Sequence, residues 1–365
     1  MASWKINYRV LGRVAETMIV AIAGALLFTW IRFPAALICG STLAVALAAL
    51  AGRPVTVPAP LARFLFILIG ITLGSVVTPE TLHGVVDWPI SIALISVSAI
   101  CMTFATMSYL RYVHRWDPLS ALYGGSPGGQ AQVMMMATQY GADVPGIAIV
   151  QSVRVVFLAV GVPGALALFG LAGSPVPGLG IPDFAASPLQ VVVLVVASTV
   201  SGLLFQRLRI PGNLVLGAML ASGILHGGGF IHAALPWWVV SAGVVALGGV
   251  VGSRFANTPP RLLFAYLGAA VGSFAVALAT ATAFALIVAS LSPTRIADLV
   301  VAFSPGAQDT MMVLALSLNI DPVFVGAHQL ARYLVVSLSL PLIAHFMMRN
   351  RDKANEKKDD EPPKD

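Results

Sequence analysis

Apolar residues run along this chain in long stretches separated by short polar ones. Windows near residues 14–31, 35–52, 61–78, 88–110 and 146–170 approach the ~20 residues that cross ~30 Å of hydrocarbon. Five more follow near 189–206, 212–227, 237–255, 263–291 and 323–348. The pattern predicts ten transmembrane helices in an all-α integral membrane protein. The first window has a basic flank and no clear small-residue cleavage site, so it reads as a first span rather than a signal peptide. Two further stretches, DPLSALYGGSPGGQAQVMMMATQYGAD and ADLVVAFSPGAQDTMMVLALSLNID, are apolar enough to enter a bilayer. Ser-Pro-Gly interrupts each in the middle, where a proline without a donor and a permissive glycine work against a continuous helix.

These two stretches are copies of one another. Ser126-Pro127-Gly128 matches Ser304-Pro305-Gly306, Gln130 matches Gln308, and the register holds without a gap through Asp143 and Asp321, Gln151 and Gln329, Arg154 and Arg332, to Pro163 and Pro341. Earlier, Arg32-Phe33-Pro34 answers Arg209-Ile210-Pro211, and Gly70, Gly74 and Ser75 answer Gly248, Gly252 and Ser253. The chain is therefore expected to hold a first membrane repeat over 1–172, a Pro/Gly-rich linker over 173–188 and a second repeat over 189–349. Residues 350–365 are expected to be a disordered, charged cytoplasmic tail.

Charge turns this pattern into an orientation. Only 10% of the 365 residues are charged, against ~25% in soluble proteins. Mean hydropathy is +0.89, and the pI of 9.6 would suggest nucleic acid only if the chain were soluble. If each broken stretch enters and leaves on one side and the N-terminus is cytoplasmic, seventeen of the 21 Lys+Arg fall inside and only Arg32 and Arg295 outside, with Arg154 and Arg332 within spans. Full crossings would instead move Arg207, Arg209, Arg254 and Arg261 outside. The re-entrant arrangement fits better, and five spans per copy then make the repeats inverted, as in many secondary transporters. The expected location is a bacterial cytoplasmic (inner) membrane with both termini inside.

Broken helices at membrane depth persist only when buried in protein or lining a wet cavity, so the duplicated tips are candidate substrate sites. The first tip offers Ser126, Pro127, Gly128, Gly129 and Gln130, and the second Ser304, Pro305, Gly306 and Gln308. Free N–H groups at a half-helix start favour anions. The alternative for these tips is a hairpin that merely packs tightly. Gln151 and Arg154, like Gln329 and Arg332, are three residues apart and share a helix face. Two readings of these pairs stand: a fork for a carboxylate, sulfonate or phosphate, or a structural arginine neutralised by hairpin carbonyls or by Asp309. Arg154 could also snorkel to a nearby interface. Asp309 has Ala131 as its counterpart, and a lone acid beside the second tip suits a coupling-ion site for H⁺ or Na⁺, or a salt bridge to Arg332. Glu16 is expected to pair with Arg13, and Asp143 and Asp321 to cap the fifth spans.

Other chemistry finds little footing. The six histidines lack metal-ligand spacing, Cys39 and Cys101 lie in apolar runs without repeat counterparts, and the Met cluster at 134–136 and Met311-Met312 reads as packing. Nucleotide fingerprints, nucleophile elbows and basic, aromatic-interleaved nucleic-acid segments are absent from the sequence. The expectation is no enzyme activity, no cofactor, no metal and no nucleic-acid partner.

The doubled S-P-G-x-Q…D…Q-x-x-R pattern, in SPGGQAQVMMMATQYGAD…QSVRVVFLAVGVP and SPGAQDTMMVLALSLNID…QLARYLVVSLSLP, resembles the AbrB family of duplicated membrane proteins up to about residue 348. Members carry labels such as ammonia monooxygenase and transcriptional regulator, which these residues do not support. The five-plus-five arrangement also looks like the glutamate/sodium and 2-hydroxycarboxylate symporters, an architectural likeness only. The tips and the Gln/Arg faces, with the inverted repeat, lead to the expectation of a secondary-active transporter of a small organic anion, a carboxylate first, working by alternating access in the lipid bilayer, with H⁺ or Na⁺ coupling resting on Asp309 and a homodimer as the default assembly. The rival classes are a membrane-embedded sensor that regulates expression and a membrane oxidoreductase.

Overall fold

The computed structural model describes residues 8–77, 88–127, 129–171, 188–208 and 213–359. These residues are helical, with turns and no strand among them. The first half contains α1 (Tyr8–Trp30), α2 (Ala36–Leu50), α3 (Ala59–Gly74), α4 (Pro89–Tyr112), the short pair α5 (Pro118–Gly125) and α6 (Gln130–Gln139), and α7 (Val144–Leu168). The second contains α8 (Pro188–Arg207), α9 (Asn213–Gly227), α10 (Trp237–Gly252), α11 (Pro260–Leu291), the short pair α12 (Ile296–Phe303) and α13 (Gln308–Ser317), and α14 (Pro322–Asp359). The expected linker lies almost wholly outside the described residues, as does Arg209-Ile210-Pro211.

Among the described residues, seven helices are long and apolar enough to cross a membrane: α1, α4, α7, α8, α10 with the turn behind it, α11 and α14. Their outward faces carry large apolar side chains such as Ile19, Leu189, Phe264 and Leu338, which suits a multi-pass protein whose solvent is lipid. The other three expected spans are shorter. Helices α2, α3 and α9 have 15, 16 and 15 residues, roughly 22–24 Å at ~1.5 Å per residue and less than a full crossing. Leu47, Phe64 and Ile224 on them stay exposed, while the helices pack on their neighbours, α2 on α1 and α10, and α3 and α9 on one another. Glycines make that possible. Gly70 and Gly74 on α3 meet α9, and a Cβ at Gly70 would lie 2.5 Å from the Val215 carbonyl oxygen. Their copies, Gly248 and Gly252 on α10, meet α2, and a Cβ at Gly252 would lie 2.7 Å from the Thr42 carbonyl oxygen.

Contacts recur copy by copy. Helix α1 packs on α2 as α8 packs on α9, α2 on α10 as α9 on α3, α4 on α5 as α11 on α12, and α7 on α11 as α14 on α4. The two broken stretches fold back as hairpins. In the first, the Asp143 N–H beyond α6 donates to the Ser120 hydroxyl in the first turn of α5 at 2.7 Å, so entry and exit lie together. Tyr266, near the start of α11, donates to Asp143 at 2.5 Å and meets Trp116 edge-on. The second hairpin follows the far end of α11, through Ser292 to Arg295, whose guanidinium holds Asp298 in the first turn of α12 at 2.9 and 3.0 Å. The hairpins thus start from opposite ends of α11 and point inward.

At the first of those ends the α2–α3 turn, with Arg53, meets the α10–α11 turn beside Arg13. Glu16 differs from expectation here. It pairs with Arg53 at 3.6 Å rather than with Arg13, because the turn after α2 folds back over its helix face. The tail differs too: α14 continues to Asp359, through ten of the sixteen residues expected to be disordered. Ala354, Glu356, Lys357 and Lys358 all favour helix, and no proline occurs between Pro341 and Pro362.

Candidate functional site

The two hairpin tips meet in the middle of the bundle. Helix α5 ends at Ser126 and Pro127 supplies no N–H to continue it, so the chain turns before α6 begins at Gln130. Ser304 and Pro305 end α12 in the same way, and α13 begins at Gln308. Neither Gly129 nor Ala307, the N-cap positions, gives its helix a side-chain cap. Two uncapped helix starts therefore face the space between the tips, with their first N–H groups and the positive end of the helix dipole.

The Gln/Arg pairs hold the other side of each break. Gln151 donates to the Tyr123 carbonyl at 3.0 Å and Arg154 to the Ser126 carbonyl at 2.9 Å. Gln329 donates to the Ala302 carbonyl at 3.1 Å, and Arg332 to the carbonyls of Ser304 and Gly306 at 2.5 and 2.9 Å and to the Gln329 amide oxygen. All four side chains are buried, Arg154 at 4% and Arg332 at 3% exposure. Arg154 does not snorkel. Each guanidinium meets the carbonyl end of the first half-helix, where the dipole is negative, which is the structural role left open above. It does not use the whole fork, since Arg154 Nε and Arg332 Nε are buried without a partner.

A cavity of about 480 Å³ opens between the tips. Of the expected site residues, Pro127, Gly129, Gln130, Gln151, Arg154, Pro305, Gly306, Gln308, Asp309, Gln329 and Arg332 line it. Ser126 and Ser304 do not. Their hydroxyls turn back to the Tyr123 and Val300 carbonyls of their own helices, so they offer a substrate nothing. Gly128 lies outside the described residues. The salt bridge considered between Asp309 and Arg332 is not formed; among the described residues ion pairs occur at Glu16–Arg53 and Arg295–Asp298. Gln308 beside Asp309 has both amide atoms buried and unpartnered. Asp143 and Asp321 are caps as expected, Asp143 accepting from the Gly146 N–H and Asp321 from those of Val323 and Phe324. His328 is spent internally, between the Phe324 carbonyl and the Ser91 hydroxyl, both at 2.7 Å.

The cavity also contains residues not singled out beforehand: Phe66, Leu214 and Val215 as an apolar wall, and Arg254 and Tyr333 as polar ones. A signal existed for the polar pair. Arg254 stands where the first copy has Val76, and Tyr333 where it has Val155, just as Asp309 replaces Ala131. All three departures from the repeat face one cavity. With Arg154, Arg254 and Arg332 against Asp309, its wall carries a net positive charge. Such a wall, with unpaired donors and an apolar side, can hold a small anion with a nonpolar body.

Comparisons with known proteins converge on one group. The family model described as "Transition state regulatory protein AbrB" matches residues 37–348. The chain is 28% identical over 327 residues to "Putative regulator AbrB" of Escherichia coli (strain K12), covering 88% of this chain and 92% of that protein. It is 26% identical over 309 residues to "Uncharacterized protein YhjN" of Bacillus subtilis (strain 168), covering 78% and 79% respectively.

Proposed function

The chain belongs to the AbrB family, and from that premise and the geometry of its cavity we propose that it is a secondary-active transporter of a small organic anion, a carboxylate first among them. One observation carries the reading: two uncapped helix starts and three arginines converge on a single cavity at the centre of an apolar helix bundle. The cavity takes its character from residues, and the reading leans on them rather than on the relatives' names. Matched contacts in the two halves, and hairpins that start from opposite ends of α11, support an inverted five-plus-five repeat with two re-entrant hairpins. The meeting of Arg13, Arg53 and the α10–α11 turn supports a cytoplasmic face at that end of the inner membrane, with both termini inside. Arg254 belongs to the same end and also lines the cavity, so this conformation is read as open towards the cytoplasm. Alternating access would then move the hairpin and Gln/Arg helix of each half against the remaining helices, coupled to H⁺ or Na⁺, with a homodimer as the default assembly.

The test is uptake of radiolabelled organic acids by proteoliposomes. Wild-type protein is expected to accumulate at least one acid, and Arg254→Gln to take it up about tenfold less efficiently, the cost of one charge-assisted hydrogen bond. Empty-liposome rates for every acid would remove the transporter reading.

A further inference from the structure

The reading of the cavity as an anion site, on which this inference rests, leaves the coupling ion undecided. A sodium ion at membrane depth needs oxygen ligands, and the carbonyls freed at a broken helix are the usual source. Here several of them already accept from a buried side chain. The Tyr123 and Ser126 carbonyls accept from Gln151 and Arg154, and the Ala302, Ser304 and Gly306 carbonyls from Gln329 and Arg332. An arginine does not lose its proton in a protein, so each guanidinium is a fixed positive charge where the carbonyl end of the broken helix would otherwise attract a cation. Sodium arriving there would meet occupied oxygens and a like charge beside them.

Asp309 offers the other route. Among the described residues it is the one acid on the cavity wall, it sits in the first turn of α13, and no ion pair joins it to an arginine. The charged or titratable groups around the cavity are Arg154 on α7, Arg254 behind α10, and Arg332 and Tyr333 on α14. Those contributed by α3, α6 and α9, which are Phe66, Gln130, Leu214 and Val215, carry no charge. Ionised, Asp309 opposes an incoming anion; protonated, it leaves the three arginines unopposed. An anion therefore binds better to the protonated form, and by reciprocity a bound anion favours the proton. Because Ala131 replaces it at the first tip, the site has one such group and not two.

We propose that the coupling ion is a proton, carried on Asp309 together with one anion, and that Arg154 and Arg332 serve as built-in cations in place of sodium. One proton adds to the Asp309 carboxylate as the anion enters and leaves with it on the other side, with no other bond made or broken.

The test titrates acetate, lactate and benzoate against the full-length protein in detergent between about pH 6 and 8, where all three stay ionised, following the thermal unfolding midpoint with choline or sodium as counter-cation. The expected result is an apparent Kd that weakens by up to about tenfold per pH unit in wild type, is flat with pH in Asp309→Asn, and is the same in choline and sodium. A flat wild-type profile, a slope that survives in Asp309→Asn, or tightening by sodium overturns the proton assignment while leaving the anion site standing. No shift with any of the three anions, in either protein at any pH, overturns the anion site itself.

Discussion

Arg332 donates to two hairpin carbonyls and to Gln329, and Arg154 to one, so these residues are part of the scaffold as well as the cavity wall. Replacing Arg332 by alanine strands the Gly306 carbonyl and the Gln329 amide oxygen at about 1–3 kcal/mol each, while the Ser304 carbonyl keeps the Gly306 N–H, and a thermal melt is expected to show a large loss of stability before any transport is measured. Arg254 holds no hairpin carbonyl. Arg254→Gln is expected to melt within about 0.5 kcal/mol of wild type while binding the anion more weakly, which makes it the cleaner probe of the site. Asp321, just before α14, caps the Val323 and Phe324 N–H groups, and Asp321→Ala should cost about 1 kcal/mol. Burial, with a smaller push from Asp298, raises its carboxyl above the ordinary range. A carboxyl raised by folding contributes stability at low pH that is lost as pH rises through its folded value. The melting difference between wild type and Asp321→Asn, which keeps the cap oxygen without the titration, should therefore move against wild type as pH rises from about 4.

At the scale of elements, glycines set how closely the copies approach. Gly129 faces the Tyr333 ring, which a Cβ there would strike, while the Gln132 amide oxygen accepts from the Ser337 and Tyr333 hydroxyls at 2.7 and 3.3 Å. Gly129→Ala is expected to cost about 1–3 kcal/mol, and Tyr333→Ala in the same chain to abolish that extra cost; a double-mutant cycle on melting free energies measures the coupling. The hairpins themselves were legible in the sequence because proline after serine removes the donor that α5 and α12 need in order to continue. The Gln/Arg pairs were legible because a three-residue spacing fixes a shared face. Other features depend on tertiary contact. Composition alone does not fix where an apolar run stops being helical, so the short extents of α2 and α3 were hidden, while the 212–227 window already gave α9 its length. Arg254 and Tyr333 stand out through their difference from Val76 and Val155, which the residues shared by the two copies do not mark. The serine hydroxyls at the tips were misplaced for a related reason: their type suits a ligand, but the carbonyl one turn back is nearer.

Across the whole molecule, two similar halves enclose one inequivalent centre. The repeat builds matched hairpins, and matched arginines steady both, while Asp309, Arg254 and Tyr333 give the shared cavity one acid, one extra base and one phenol. On the proposed reading the duplicated scaffold moves around that one site, and a small organic anion is its cargo. A thermal-shift screen of the purified protein against organic acids, amino acids and amines tests it most directly, run in parallel on wild type and Arg254→Gln. The account predicts that one or more organic acids raise the wild-type midpoint, that the rise shrinks in Arg254→Gln, and that amines leave both unmoved. Stabilisation by amines alone, or by no acid in the series, would contradict it.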